Sequence, residues 1–123
     1  MTTVFVYGTL KRGGSNHVFL ARQTFLGPAC TAPGYTLYSL GDYPGMVRAP
    51  GDTAGVTGEL WSVDDACLAE LDQLEGLDEG LYERTEVLLA PNPFAGSAQA
   101  YLYLRPHDSL APLGSNWPVT GKV

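Results

Sequence analysis

The sequence predicts an α+β protein with a small, curled or barrel-like mixed sheet and one main helix. Several short segments alternate apolar and polar residues as strands do, and most of them follow one another at hairpin distance. One later segment instead carries leucines at helical spacing. The 15 glycines and 9 prolines among 123 residues indicate frequent turns. A chain of this length is expected to form one domain, 1–123, with an irregular tail at 106–123.

Strands are predicted where β-branched and aromatic residues cluster or alternate with polar residues. They cover residues 4–7, 34–40, 56–63, 82–90 and 97–105, and the second resumes at 46–48 after a turn at 41–45. The last two are expected to form a hairpin across the proline-bearing loop 91–96. Beyond Arg105 the scattered prolines and glycines predict no regular element, and the final residues are expected to be mobile.

The main helix is predicted between Asp64, a good N-cap, and Gly76, a typical C-terminal stop, so that it ends near Glu75. Its apolar stripe has 3–4 spacing and consists of Cys67, Leu68, Leu71 and Leu74. A shorter helix is predicted over residues 17–23, with Asn16 as its N-cap.

Charge and hydropathy argue against several classes of function. The chain carries 7 basic and 13 acidic residues, a net charge of −6, and has no run of Lys or Arg, so no nucleic-acid surface is expected. No apolar stretch is long enough for a membrane-spanning helix, and the N-terminus has no signal-peptide pattern. Cys30 and Cys67 are interpreted as buried thiols of a reducing compartment, with a single disulfide as the alternative. The sequence therefore predicts a cytoplasmic protein, monomeric by default.

A glycine-rich segment, residues 8–14, connects the first strand to the first helix. Backbone N–H groups at such a position can cradle an anion, but the segment matches neither common nucleotide-binding motif. An ordinary solvated connection remains the alternative. His17 and His107 stand alone, without the spacing of metal ligands, and neither cysteine has a histidine nearby in the sequence. No metal site and no enzyme nucleophile is predicted.

Glu75 is the acidic residue that the helical spacing sets apart. Positions 68, 71 and 75 share the apolar face, so Glu75 is expected to point inward. An inward carboxylate is costly unless it is paired or does chemistry with a raised pKa. A harmless surface glutamate at the helix end is the alternative that the spacing leaves open. Glu59 is a second candidate, interpreted more readily as a solvent-side or structural residue. Seven further acidic residues are expected to solvate the surface: Asp65, Glu70, Asp72, Asp78, Glu79, Glu83 and Glu86.

Four blocks follow one another in a specific order along the chain. They are VFVYGTLKRG at 4–13, LYSLGDYPG at 37–45, VTGELW at 56–61 and LDQLEG at 71–76, followed by YER at 82–84. In combination they resemble the γ-glutamylcyclotransferase-like proteins, in particular the γ-glutamylaminecyclotransferase or AIG2-like branch. The resemblance covers residues 4–105 and leaves the tail without a clear counterpart.

The resemblance implies a γ-glutamylcyclotransferase-like fold with a cavity where the first loop meets the helix end. It assigns substrate binding through backbone N–H groups to Tyr7, Gly8, Thr9 and Leu10. The family's catalytic carboxylate corresponds to Glu75, a general acid and base. The implied reaction is intramolecular cyclisation of a γ-glutamyl amine or γ-glutamyl amino acid, which releases 5-oxoproline and a free amine. Because the substrate's own α-amine is the nucleophile, no metal or organic cofactor is expected.

Tyr82 and Arg84 follow Glu75 into the next strand and are further candidates for substrate binding. Tyr82 lines the cavity or orients the carboxylate, unless it is a strand-edge aromatic. Arg84 neutralises a buried acid or a substrate carboxylate, unless it is an exposed strand arginine. Residues 43–45 form a cavity rim or merely a turn. Two other functions stay open: a small-molecule-binding module without turnover, and a deacylase that frees an acylated natural product by the same cyclisation.

Overall fold

A computed structural model describes residues 1–91, 94 and 96–117 of the chain. In this part of the chain, eight strands and one α-helix surround two apolar clusters. The strands are β1 (Thr2–Val6), β2 (Thr24–Cys30), β3 (Tyr35–Ser39), β4 (Pro44–Arg48), β5 (Thr57–Val63), β6 (Tyr82–Leu88), β7 (Ser97–Tyr103) and β8 (Ala111–Gly114). The helix is α1 (Asp65–Leu74), and short 3₁₀ helices cover His17–Leu20 and Leu77–Glu79.

All eight strands form one mixed sheet in the order β2-β5-β1-β7-β4-β3-β8, with β6 also paired to β7. β6 is antiparallel to β7 along its whole length, from Tyr82 opposite Tyr103 to Leu88 opposite Ser97. The other edge of β7 is therefore shared by β1, which pairs with it at Gln99, and β4, which pairs with it at Leu102. Both of these pairings are parallel.

The sheet curls back on itself where β2 and β6 end. Thr31 and Leu89 form an antiparallel bridge, and the flanking N–H groups of Ala32 and Ala90 donate to the carbonyls of Leu88 and Cys30, each at 2.9 Å. The series β6-β7-β1-β5-β2 thus returns to its first strand. The structure confirms the predicted α+β class with a curled sheet and one main helix.

β1 is buried on both faces of the sheet, because apolar groups cover each side. Phe5 points into one cluster, together with Leu37, Met46 and Leu60. Its neighbours Val4 and Val6 point to the other cluster, beneath α1. That second cluster includes Trp61, Val63, Cys67, Leu71, Tyr82 and Tyr101. A continuous apolar run such as residues 4–6 is typical of a strand covered on both faces.

The helix α1 begins and ends as the sequence predicts. The side chain of Asp64 accepts a hydrogen bond from the N–H of Cys67 at 2.7 Å, which caps the first turn. Gly76 follows the last turn with φ of 67°, a left-handed conformation that favours glycine. Cys67 and Leu71 are its buried residues, so the apolar stripe faces the sheet. Among the described residues, no helix has the length and apolar character needed to cross a membrane.

Three predictions about elements are wrong. The segment predicted as a helix over 17–23 is one 3₁₀ turn, and the side chain of Asn16 does not cap it but donates to Thr9 Oγ1 at 3.0 Å. The segment 24–30, for which no strand was predicted, forms β2 along β5, with an irregular register between Phe25 and Gly27. The tail is not wholly irregular, because β8 pairs antiparallel with β3.

The two cysteines are free thiols, Cys67 buried and Cys30 half-buried, so the disulfide alternative does not hold. Burial raises the pKa of the Cys67 thiol above its ordinary value, and nearby Asp64 and Glu70 raise it further. The predicted hairpin loop includes residues 92, 93 and 95, and the prediction of mobile final residues includes 118–123. Both sets lie outside the described residues.

Candidate active site

A cavity of about 180 Å³ opens where β1 ends, β4 begins and α1 terminates. It is lined by residues 5–10, Asn16, residues 43–44, 74–75, 81–82 and Tyr101. This volume is below the range of ~300–1,000 Å³ that is usual for drug-sized ligands. The cavity therefore suits a ligand portion about the size of an amino acid.

One wall of the cavity is the turn that follows β1. The N–H of Lys11 donates to the carbonyl of Gly8 at 3.1 Å, which makes Thr9 and Leu10 the central residues of a β-turn. The N–H groups of Thr9 and Leu10 donate to no group in the described part of the chain. Asn16 stabilises the turn, since its N–H donates to the carbonyl of Thr9 at 2.9 Å. Two neighbouring backbone donors are thus left available beside the cavity.

Gly8 fits at this turn because it has no side chain. A Cβ atom there would lie 2.8 Å from Cγ of Pro44, closer than real contacts allow. The turn therefore packs directly on the start of β4. This close approach brings the turn and residues 43–44 to the same rim of the cavity.

Glu75 lies at the C-terminal end of α1 and lines the same cavity as the turn. Its backbone N–H completes the helix by donating to the carbonyl of Leu71 at 2.9 Å. Burial raises the pKa of the Glu75 carboxyl from 4.5 to about 7, because the cavity wall replaces water around the charged form. A carboxyl with this pKa is able both to take and to give a proton near neutral pH.

Three buried tyrosines also line the cavity, and the hydroxyl of each has a hydrogen-bond partner. Tyr7 donates to the carbonyl of Tyr101 at 2.7 Å, and Tyr82 donates to the carbonyl of Pro44 at 2.8 Å. Tyr101 donates to the carboxylate of Asp72 at 2.7 Å. Burial raises the pKa of all three well above the ordinary value, and the nearby Glu75 charge adds to this effect. The tyrosines are therefore neutral, fixed parts of the wall.

The structure does not bring Arg84 to the cavity. Its guanidinium forms a two-pronged ion pair with Asp72, with N···O distances of 2.8 and 3.2 Å. Asp72 holds the pKa of Arg84 above its ordinary value, chiefly through this hydrogen bonding. The prediction that Arg84 binds substrate is not supported by its position, and Asp72 is not the merely solvating carboxylate that the sequence indicated. Together they fix α1 to β6.

A sequence model of the family described as gamma-glutamyl cyclotransferase, AIG2-like, matches residues 4–118. The chain belongs to this family. The motifs in the sequence indicated a family resemblance over residues 4–105 only. The match to this AIG2-like family continues past residue 105 and includes β8.

Relatives of this family member include bacterial and mammalian proteins. The Gamma-glutamylcyclotransferase family protein YtfP of Escherichia coli is 42% identical over 107 residues, which are 87% of each chain. Its solution structure has a TM-score of 0.67 and covers 94% of this chain and 95% of its own. The Gamma-glutamylaminecyclotransferase of Rattus norvegicus is 34% identical over 116 residues, 84% of this chain and 77% of its own. The crystal structure of an AIG2-like protein from Mus musculus is 34% identical with a TM-score of 0.66, over 85% of this chain and 77% of its own.

Sequence reasoning missed two of the polar side chains that line this AIG2-like cavity. Asn16 lines it, although its position before a short helix suggested a cap. Tyr101 lines it from β7, in the middle of a strand with no local motif. The sequence pattern of β7 could have indicated that one face is buried, but not that the buried face meets residue 7 from the other end of the chain.

Proposed function

We propose that this protein converts a γ-glutamyl amine or γ-glutamyl amino acid into 5-oxoproline and the free amine or amino acid. Membership of the gamma-glutamyl cyclotransferase family and the names of the relatives support the general reaction. The observation that carries the proposal is Glu75, a carboxyl with a pKa of about 7 that lines the same small cavity as a turn with two available backbone donors.

The first step is removal of a proton from the substrate. The α-amine of a γ-glutamyl compound is protonated at neutral pH and cannot attack until it loses that proton. Glu75 accepts it, because a base with a pKa near the working pH combines a useful ionised fraction with adequate basicity. The cavity holds the γ-glutamyl chain folded, with its amine beside its own γ-carbonyl.

The second step closes the ring. The amine nitrogen forms a bond to the γ-carbon, and the carbonyl electrons move to the oxygen, which becomes an oxyanion. The N–H groups of Thr9 and Leu10 donate to this oxygen, and one such donor is worth ~3 kcal/mol at comparable sites. The ring nitrogen now carries two hydrogens and a positive charge. The oxyanion collapses, the bond from the γ-carbon to the leaving nitrogen breaks, and Glu75 gives its proton to that leaving nitrogen. The ionised Glu75 then takes the second proton from the ring nitrogen and passes it to the released amine or to water, which leaves neutral 5-oxoproline lactam and an ionised Glu75.

This mechanism requires no nucleophile from the protein. The described lining of the cavity contains no Cys, Lys, Arg or His, and its three buried tyrosines, Tyr7, Tyr82 and Tyr101, are neutral. The attacking nitrogen belongs to the substrate, so the protein has only to supply a base, an acid and an oxyanion cradle. Tyr82 contributes as a wall residue that fixes Pro44, rather than as a partner that orients Glu75.

The test is to incubate the protein with γ-glutamyl amines, including ε-(γ-glutamyl)-lysine, and with γ-glutamyl amino acids, and to follow 5-oxoproline by mass spectrometry. Glu75→Gln removes the proton-transfer group and is expected to lower kcat roughly 10²- to 10⁴-fold. Glu70→Gln is the matched control, because Glu70 is exposed on the same helix and outside the cavity. It is expected to keep wild-type activity.

Two outcomes overturn the proposal: no 5-oxoproline from any of these compounds, or full activity in Glu75→Gln. Binding of γ-glutamyl compounds without product would instead indicate a binding module. Release of 5-oxoproline only from larger acylated molecules would indicate a deacylase that uses the same chemistry.

A further inference from the structure

Glu59 is a carboxylate on β5 that is only 9% exposed and lies outside the cavity lining. Its Oε1 accepts hydrogen bonds from the backbone N–H of Arg12 at 3.0 Å and from Nε1–H of Trp61 at 3.2 Å. Its Oε2 accepts from Nε–H of Arg12 at 3.2 Å. One side chain on the sheet thus holds the backbone just beyond the cavity turn.

The backbone contact is better protected from water than the ion pair. The Arg12 side chain is 55% exposed, so its attraction to Glu59 is weakened by solvent, although the guanidinium also lies 3.9 Å above the Phe25 ring. The hydrogen bond from the Arg12 N–H does not depend on which side chain residue 12 carries. Substitutions at residues 12 and 59 can therefore separate the two contacts.

The Arg12 N–H comes directly after the residue that closes the turn, so its contact with Glu59 holds the chain where it leaves the turn. Lys11 closes the turn through its N–H on the carbonyl of Gly8, and Arg12 is the next residue. Lys11 is itself buried, and its ammonium donates to the carbonyl of Trp117 at 2.6 Å. Its pKa is lowered by burial, and the charge of Glu59 opposes that decrease. Glu59 therefore stabilises both residues that follow the turn.

We propose that Glu59 is a positioning residue that holds the cavity turn so that the N–H groups of Thr9 and Leu10 face the reacting carbonyl. Glu59 does not touch the substrate and acts through the backbone of Arg12. This inference rests on the proposed function for its effect on turnover. Misplacement of catalytic groups by about 1 Å costs roughly 10²-fold in rate, which sets the size of the expected effect.

The experiment compares three variants on the active substrate. Glu59→Leu removes every acceptor and is expected to lower kcat roughly 10²-fold with a smaller change in KM, because oxyanion donors act mainly in the transition state. Glu59→Gln keeps a carbonyl oxygen for the Arg12 N–H and is expected to retain most of the activity. Arg12→Ala removes the exposed ion pair and the contact with the Phe25 ring but keeps the backbone N–H, and it is expected to stay within about fivefold of wild type.

Two further readouts separate positioning from a general loosening of the fold. The pH midpoint of kcat/KM is expected to be the same in Glu59→Leu and wild type, because the surroundings of Glu75 are unchanged. The amide resonances of Thr9 and Leu10 in ¹H–¹⁵N spectra are expected to shift in Glu59→Leu and not in Arg12→Ala. If Glu59→Leu does not fold, Glu59→Ala, which leaves room for water, takes its place with the same expected loss.

The NMR comparison does not require turnover, so failure of the proposed function and failure of this inference can be told apart. Absence of product from wild type with shifted Thr9 and Leu10 amides in Glu59→Leu would refute only the proposed function. A folded Glu59→Leu with wild-type kcat and unshifted amides overturns the role of Glu59. Equal losses in Glu59→Leu and Arg12→Ala would also overturn it, because the ion pair would then be the contact that matters.

Discussion

The burial of the Glu75 carboxyl has a measurable consequence: it makes the free energy of unfolding depend on pH. Residues 68, 71 and 75 lie on one helical face, so the sequence alone indicates an inward side chain. Spacing does not reveal whether that face meets solid core or a cavity at the last turn. In the structure it meets a cavity, and the carboxyl therefore combines a raised pKa with access to a ligand.

We expect Glu75→Gln to become more stable relative to wild type as the pH rises. Below about 4.5 the carboxyl is protonated in both the folded and unfolded states, so burial carries no ionisation cost. Above about 7 the folded protein must hold the charged form, and the full cost is present. That cost is at most about 3 kcal/mol, and water in the cavity reduces it. Urea unfolding of both proteins at pH 5 and pH 8 measures the difference.

The same measurement on Glu70→Gln provides the control, since Glu70 is exposed. Its stability difference from wild type should be nearly the same at both pH values. A constant difference for Glu75→Gln across this range would mean that its carboxyl titrates normally. Glu75 would then be a poor candidate for a base at neutral pH.

At the scale of elements, α1 is attached to the sheet by a polar cluster as well as by its apolar stripe. The carboxylate of Asp72 accepts hydrogen bonds from the guanidinium of Arg84 on β6 and from the hydroxyl of Tyr101 on β7. Asp72 lies one helical turn before Glu75, so this cluster helps to fix the end of the helix that reaches the cavity. The sequence could not indicate it, because both partners come from strands whose pairing is decided elsewhere in the fold.

We expect the Asp72–Arg84 pair to contribute a small but measurable coupling energy. Both side chains are about a quarter exposed, at 26% and 27%, so the ion pair is partly screened by solvent. A double-mutant cycle with Asp72→Asn and Arg84→Gln should give a coupling of about 1 kcal/mol in urea unfolding. A cycle between Arg84→Gln and Glu83→Gln is the control, since Glu83 is exposed and points away from Arg84 along the strand. Equal coupling in the two cycles would contradict a specific Asp72–Arg84 contact.

The elements that the sequence predicted are those with a clear local pattern. β5, β6 and β7 show alternation, and α1 has both a cap and a stripe. β2 shows neither, because Gly27 and Pro28 interrupt it where its register along β5 becomes irregular. β8 is four residues long and includes Pro112 and Gly114, and only its pairing with β3 makes it a strand. Such strands are stabilised by neighbours, which a local pattern cannot show.

At the scale of the whole molecule, the site depends on how β1, β4 and β7 meet. The turn after β1 and Glu75 were both identifiable from their motifs. Their proximity was not derivable from local spacing and came only from the family resemblance. It requires β1 and β4 to share one edge of β7, with Val4 opposite Gln99 and Met46 opposite Leu102. These pairings join segments that are far apart in the chain.

Tyr7 fills the gap that this shared edge creates. β1 leaves the edge of β7 before β4 joins it, which would leave backbone groups there without partners. The Tyr7 hydroxyl donates to the carbonyl of Tyr101 at 2.7 Å and accepts from the N–H of Met46 at 3.1 Å. A residue expected from its family motif to bind substrate thus also connects three strands with its side chain.

We expect Tyr7→Phe to lower the free energy of unfolding by about 2–5 kcal/mol. The substitution keeps the ring but leaves one buried carbonyl and one buried N–H unsatisfied, each costing about 1–3 kcal/mol. Tyr35→Phe is the control, because Tyr35 is similarly buried but its hydroxyl has only a long contact of 3.5 Å with Arg48. Urea unfolding should show a change below about 1 kcal/mol there. Similar losses in the two variants would mean that the Tyr7 hydroxyl does not join the strands, and that strand pairing and apolar packing hold β4 to β7 beside the cavity without it.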